Sequence, residues 1–435
     1  MSDAAARKEL GFWTCTALVI GNTIGMGIFL LPASLAPYGL NALLGWGVTV
    51  VGMSLLAWVY AHLARRYPDA DGPYAYLRAT VGEGAAFLAI WCYWVSVWIT
   101  NATIAIGLVG YLGTLLPALR GVPPAAVALS VVWLFVIVNL LGVRAGGGVQ
   151  LATTALKLLP MAAVIVLGGW LALHEPAAYT RNPPAVPISW AALLPASSIA
   201  LYAMLGIESA AVPAGRVRDP QRTIPRATIA GTLLTAVIYV IVSAVPLLLI
   251  PSAELANSTA PFVDVLARIG GADHGRWMAL FIAIGGLGCV NGWTLLVGEL
   301  TASMAGHGML PAALGARNRR AAPARALIVT AALASLMVLM NFNRSLVQGF
   351  TFLTQLVTAA NLPLYLLCAL ALVAPWWRGQ RGAGDAALAI GLLGAGYSVF
   401  AFVGVGGEPI LWSLVLALAG MPLYLMMRRK RRAAG

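Results

Sequence analysis

The sequence predicts an all-α polytopic membrane protein of about twelve transmembrane helices. Three observations carry that expectation. Of the 435 residues, 60% are hydrophobic and only 9% charged, whereas soluble domains carry about 25% charged residues. Residues 10–61, 84–119, 121–143, 227–253, 345–377 and 409–427 contain no Asp, Glu, Lys or Arg at all, and about 20 apolar residues already cross a bilayer as a helix. Finally, the runs lack the two-residue alternation of an outer-membrane barrel, so only helices can satisfy their backbone hydrogen bonds in lipid.

Cutting at charge clusters and at Gly, Pro and Asn turns places the spans at residues 12–38, 41–64, 84–117, 124–142, 148–172, 190–214, 227–250, 277–304, 325–342, 348–375, 386–405 and 409–427. The first follows Arg7 and Lys8 and is far longer than the core of a signal peptide, so it reads as a retained span. The net charge of +13 is dispersed in short clusters between spans, which speaks for membrane topology and against a nucleic-acid partner. With the N-terminus inside, twenty-one of the 27 basic residues fall on the cytoplasmic side and five on the other, Lys157 lying within a span. Both termini are therefore expected to be cytoplasmic. Cys15, Cys92, Cys289 and Cys368 all sit in apolar runs without a CxxC pair, so packing is expected of them, and no metal or cofactor.

Two spans carry interruptions. Span 1 holds Gly21-Asn22-Thr23-Ile24-Gly25-Met26-Gly27, and span 6 holds Leu205-Gly206-Ile207-Glu208-Ser209. Glycine weakens a helix by about 1 kcal/mol relative to alanine. Small residues also serve close helix packing, but a glycine cluster in one span and a carboxylate beside glycine in another fit paired broken helices better. If the chain is two five-span halves, these are the first spans of each half, and an odd number of spans makes the halves inverted copies. The expected organisation is an N-terminus at 1–11, repeats at 12–172 and 190–375, two extra helices at 386–427 and a basic tail at 428–435.

The run from Gly21 to Phe29, then Gly206-Ile207-Glu208-Ser209, then Arg218-Asp219-Pro220-Gln221-Arg222-Thr223-Ile224-Pro225 resemble the amino acid–polyamine–organocation superfamily. Gly292 to Leu296 and Glu254 to Phe262 are most similar to its bacterial basic amino acid/polyamine antiporters, the arginine/agmatine exchangers above all. The resemblance runs over nearly the whole chain. It implies a five-plus-five inverted repeat with two added helices, alternating access in the cytoplasmic (inner) membrane, often as a homodimer, and exchange of a cationic amino acid such as arginine for its decarboxylated amine.

Unwinding at Asn22, Thr23, Ile24, Gly25, Met26 and Gly27 would turn backbone N–H groups toward a substrate carboxylate. The break after Tyr202–Leu205, at Gly206, would offer carbonyls to an α-ammonium. Side-chain selectivity is sought in Ser96, Val97 and Asn101 at helical spacing on span 3, facing Tyr202, Trp293 and Gln355. A cation over the Trp293 ring would gain about 0.5–2 kcal/mol. The resemblance implies substrate contact by Asn101 and Trp293, and an inner gate of Tyr93, Glu208 and Tyr365. It also places Lys157 where sodium-coupled relatives hold a sodium ion. Met26, Tyr202, Gln355 and Lys157 depart from the arginine exchangers, which leaves the identity of the amino acid open.

Lys157 and Glu208 are charges that cannot easily reach an interface, which marks them for coupling, although a structural charge tied to carbonyls is the alternative. Transport is expected to be independent of sodium and to depend on pH through one or both. His62, His174, His274 and His307 fall at span ends or in loops, so no catalytic constellation suggests an enzyme. The paired breaks argue for an occluded site over a channel filter. A sodium-independent, proton-coupled permease or exporter of a broader or neutral amino acid set remains the alternative.

Overall fold

The structure, a computed structural model, describes residues 11–67, 73–142, 147–182, 186–207, 219–377 and 385–434. Sixteen α-helices and no strand occur among the described residues. They are α1 (Phe12–Thr23), α2 (Gly27–Leu35), α3 (Asn41–Arg66), α4 (Pro73–Thr80), α5 (Glu83–Leu115), α6 (Pro124–Leu140), α7 (Gly147–His174) and α8 (Trp190–Met204). There follow α9 (Pro220–Leu249), α10 (Ser252–Leu255), α11 (Pro261–Gly270), α12 (Ala272–Gly306), α13 (Ala324–Met340), α14 (Leu346–Trp377), α15 (Asp385–Gly404) and α16 (Gly407–Ala434).

Eight of these, α3, α5, α7, α9, α12, α14, α15 and α16, are long and apolar enough to cross a membrane unaided. The shorter apolar helices α6 and α13, the pair α1 and α2, and α8 stand at the remaining predicted spans. Three helices outrun their predicted spans by five residues or more. Helix α9 begins at Pro220 and not at 227, α12 at Ala272 and not at 277, and α16 continues through Arg428 and Arg429 into the predicted basic tail. Charge marks where a span leaves the apolar phase, whereas a helix continues until its backbone is capped or broken. Helix α9 starts with proline at its first turn, where the missing N–H costs nothing.

The helices differ in depth: 83% of the apolar window of α5 is buried within the protein, against 17% for α16. Helix α5 packs on α14, α12, α13 and α6, while α3 packs on α8 and α9. Side chains hold α8 to α3 by backbone contacts. Asn41 donates from Nδ2 to the Pro187 carbonyl at 3.0 Å and accepts at Oδ1 from the Ser189 N–H at 3.0 Å, and Thr49 donates to the Ser197 carbonyl at 2.8 Å. Ser189 in turn caps α8 by accepting from the Ala192 N–H. The four cysteines are buried and form no disulfide among the described residues. Helices α10 and α11 pack into the core, α11 beside α12, and are tied together by Ser258 donating to Asp264 and by the ion pair of Arg268 with Glu254. Burial holds the Asp264 carboxyl above its ordinary range, and the Ser258 hydrogen bond opposes that rise.

Candidate functional site

Helix α1 stops at Thr23 because Ile24 turns extended, with φ −70° and ψ 94°, and α2 starts afresh at Gly27. The break is therefore Ile24 to Met26, shorter than the predicted stretch, since Asn22 and Thr23 stay helical. Two of the carbonyls that α1 leaves without a backbone partner are taken by side chains from other spans. Tyr239 of α9 donates its hydroxyl to the Thr23 carbonyl at 3.0 Å, and Lys157 of α7 donates Nζ to the Ile24 carbonyl at 2.8 Å. Tyr111 anchors the other half by donating to the Phe29 carbonyl at 2.7 Å. Helix α8 likewise ends at Met204, where Leu205 is extended and Gly206 has φ 107°, a left-handed value that favours glycine.

Lys157 is buried. Its stem lies against α12, where a Cβ on Gly285 would stand 2.5 Å from Lys157 Cγ, and a Cβ on neighbouring Gly286 would stand 2.9 Å from Met26 Sδ. This glycine pair leaves room for both side chains beside the break. Lys157 thus connects α7 to the span 1 break and to α12, and the Met26 side chain is directed into packing.

A small cavity of about 30 Å³ opens at the two breaks. Among the predicted residues, Thr23, Gly25, Met26, Gly27, Tyr93, Ser96, Val97, Tyr202, Leu205 and Trp293 line it. No charged side chain does so among the described residues. The ring of Tyr202 lies over Gly27, where a Cβ would stand 2.4 Å from its Cε1, and meets Phe350 edge-on at 6.2 Å. The first N–H groups of α2 lack intrahelical acceptors and sit at the positive end of its dipole, while α8 presents its carbonyl end to the same cavity. One wall suits an anion and the other a cation.

Other predicted residues lie elsewhere. Ile24 contributes its carbonyl to Lys157 and is not part of the wall, and Gly206 stands just past the α8 end. Asn101 is buried behind the wall, where Thr294 of α12 donates to its Oδ1 at 3.4 Å. The α5 stripe that faces the cavity is Tyr93, Ser96, Val97, Thr100 and Ile104, and one residue beyond Thr100 rotates Asn101 by about 100°. Gln355 is half buried on α14 and does not line the cavity, because Val357 and Asn361 do so and Gln355 points roughly to the opposite side. Tyr365 lies a turn past Asn361, wholly buried, edge-on to Tyr60 at 5.9 Å. The Asn22 side chain and all of Glu208 lie outside the described residues.

The sequence reading missed Thr100, Tyr239 and Asn361. Asn361 is 2% exposed, faces the cavity, and its Oδ1 has no hydrogen-bond partner among the described residues. A buried, unsatisfied acceptor costs about 1–3 kcal/mol, so its presence in a cavity wall points to a donor on the substrate. An amide in mid-span was the available signal.

The amino acid permease family profile matches residues 10–427. The chain is 35% identical to the cadaverine/lysine antiporter of Escherichia coli K12 over 347 residues, which is 78% of this chain and 77% of that protein. It is 30% identical to the putrescine transporter PotE of Escherichia coli K12 over 429 residues, 98% of this chain and 97% of that one. PotE of Haemophilus influenzae is similar at 30% over 430 residues, 97% of each chain. A chain-long match of this kind, joined to a cavity where α1 breaks and α8 ends, shows that this chain is an integral membrane transporter that belongs to the amino acid permease family of the amino acid–polyamine–organocation superfamily, among its basic amino acid/polyamine antiporters.

Proposed function

We propose that this protein exchanges a cationic amino acid for its decarboxylated amine by alternating access in a bacterial cytoplasmic membrane. The observation that carries the reading is the cavity at the paired breaks, with an aromatic face at Trp293 and the unsatisfied Asn361 oxygen in its wall. The breaks serve the head group, and Trp293 and Asn361 serve a distal ammonium. With Asn101 and Gln355 turned away, the described wall offers few acceptors for the five donors of a guanidinium, and a primary ammonium needs fewer. Together with the two named relatives, this favours lysine with cadaverine, or ornithine-type substrates with putrescine, over arginine with agmatine. In this reading residues 12–172 and 190–375 are the inverted halves, Tyr93, Glu208 and Tyr365 form the inner gate, and both termini are cytoplasmic, as the distribution of basic residues supports. A homodimer completes the proposal. Leu392, Val399, Leu411 and Leu418 on α15 and α16 are each more than half exposed, a surface for lipid or a second copy to cover.

Counterflow in proteoliposomes tests the exchange. Vesicles loaded with unlabelled lysine should accumulate labelled lysine, and external cadaverine should compete; failure of every cationic amino acid and diamine to exchange would overturn it. The uncharged wall also favours a second reading, a sodium-independent permease or exporter of neutral amino acids, which equal counterflow of leucine would support.

Side-chain selectivity yields a further expected result. Trp293→Leu should weaken lysine binding by about three- to thirtyfold, the value of a cation–π contact, and leave leucine nearly unchanged. Asn361→Leu should lose about tenfold or more, as for a hydrogen bond to a charged group. Isothermal titration with lysine and with its uncharged isostere norleucine reads both. Parallel losses for the two ligands would show packing and not cation recognition.

A further inference from the structure

A second cavity, of about 140 Å³, lies away from the breaks, between the start of α6 and the turn that joins α13 to α14. Its walls are largely apolar, with Ile106, Val338 and Leu346 among them, but Asn341, Arg344 and Ser345 also line it. Asn341 is 6% exposed; its Nδ2 donates to the Met337 carbonyl at 2.8 Å, while its Oδ1 is buried with no partner. Opposite that oxygen is Gly349, where a Cβ would stand 4.0 Å from Asn341 Oδ1 and 3.9 Å from Arg344 Cβ. Arg344 donates from Nη2 to Glu408 at 2.6 Å and lies over the Phe352 ring at 4.3 Å. One nitrogen of a five-donor group meets that carboxylate.

The occupant must donate to Asn341, since an unsatisfied buried oxygen is a standing cost. It must also carry no net charge, because the Arg344–Glu408 pair is itself neutral. Finally, it reaches the cavity from an apolar surface. The rim residue Phe342 is 61% exposed, and Leu336, Leu339 and Met340 at the end of α13 are exposed beside it, an apolar face suited to the bilayer. We propose that this cavity holds the headgroup of a phospholipid with a primary ammonium, of the phosphatidylethanolamine type. The ammonium donates to Asn341 Oδ1, the phosphate accepts from Arg344, and the acyl region follows Phe342 onto the outer face of α13. Because Gly349 is followed by Phe350, which touches Tyr202 of the transport cavity, the lipid would brace the start of α14.

The test uses the full chain in detergent micelles doped with dioleoyl-phosphatidylethanolamine, its phosphatidylcholine counterpart, whose trimethylated nitrogen cannot donate, or its anionic phosphatidylglycerol counterpart. A ligand that binds the folded state raises the melting temperature by mass action. Phosphatidylethanolamine should raise it by a few degrees more than either other lipid, and native mass spectrometry should show its adduct retained. Gly349→Val, which fills the space at contacts of 3.6 Å and longer, and Asn341→Leu should abolish the difference. Should Asn341→Leu fail to fold for want of its Met337 contact, Gly349→Val carries the test alone. Equal protection by the other lipids, a preference surviving Gly349→Val, or equal protection by soluble phosphoethanolamine or lysine would overturn the lipid site.

Discussion

Replacing Gly25 with isoleucine is expected to abolish substrate binding while leaving a folded protein. Gly25 lines the cavity, and a Cβ there meets nothing nearer than 4.0 Å, at the backbone of Thr23 and Gly27. Its backbone is outside the left-handed region, so a side chain brings no strain. The added methyl groups therefore occupy the space in front of the first N–H groups of α2, where the head group would lie. Each charge-assisted hydrogen bond lost there is worth about 1.5–3 kcal/mol, and the loss of two weakens binding by a hundredfold or more. Gly25→Ala should show a smaller defect. Gly27→Ala is a contrast of a different kind, because its Cβ would stand 2.4 Å from the Tyr202 ring and must displace it. Thermal melts check folding, and titration with lysine reads affinity. Undiminished binding by folded Gly25→Ile would rule out the head-group site.

Lys157→Met is expected to stop exchange almost completely, while wild-type exchange proceeds equally well in sodium and in choline. Methionine keeps the volume that packs on Gly285 but removes the ammonium that holds the Ile24 carbonyl at 2.8 Å. That carbonyl then sits buried and unpaired at a cost of about 1–3 kcal/mol. It lies in the three-residue linker whose position defines the cavity, so the cost falls on the conformation in which the linker is held. Uptake into proteoliposomes in sodium and in choline, for wild type and Lys157→Met, measures this. Strict sodium dependence of the wild type would sink the role of Lys157 as a resident cation. Undiminished exchange by folded Lys157→Met would remove it from the transport cycle.

What the chain determines through sequence alone is its partition between lipid and water. Runs such as 84–119 and 345–377 lack charge, and α5 and α14 occupy them to within a few residues, because burying an unpaired charge in hydrocarbon outweighs any local preference. The break in span 1 was legible for a similar reason: three glycines in seven residues weaken one helix locally, and the helix ends at Thr23. Which side chains meet the substrate was not legible at that level. Asn101 and Thr100, or Gln355 and Asn361, are equally polar in equally apolar runs, and a rotation of about 100° per residue separates cavity wall from packing face. That rotation is set by neighbours: Thr294 takes Asn101 out of the wall, and Phe350, seated against Gly107 and Tyr202, orients α14. Lys157 shows both levels together. Its place in an apolar run announced a function, but only the packing of α7 against α12, through the bare faces of Gly285 and Gly286, decided that its ammonium would reach the Ile24 carbonyl. Hydrophobicity chooses the spans because it acts residue by residue, whereas a site depends on the relative rotation of several helices, which only their mutual packing defines.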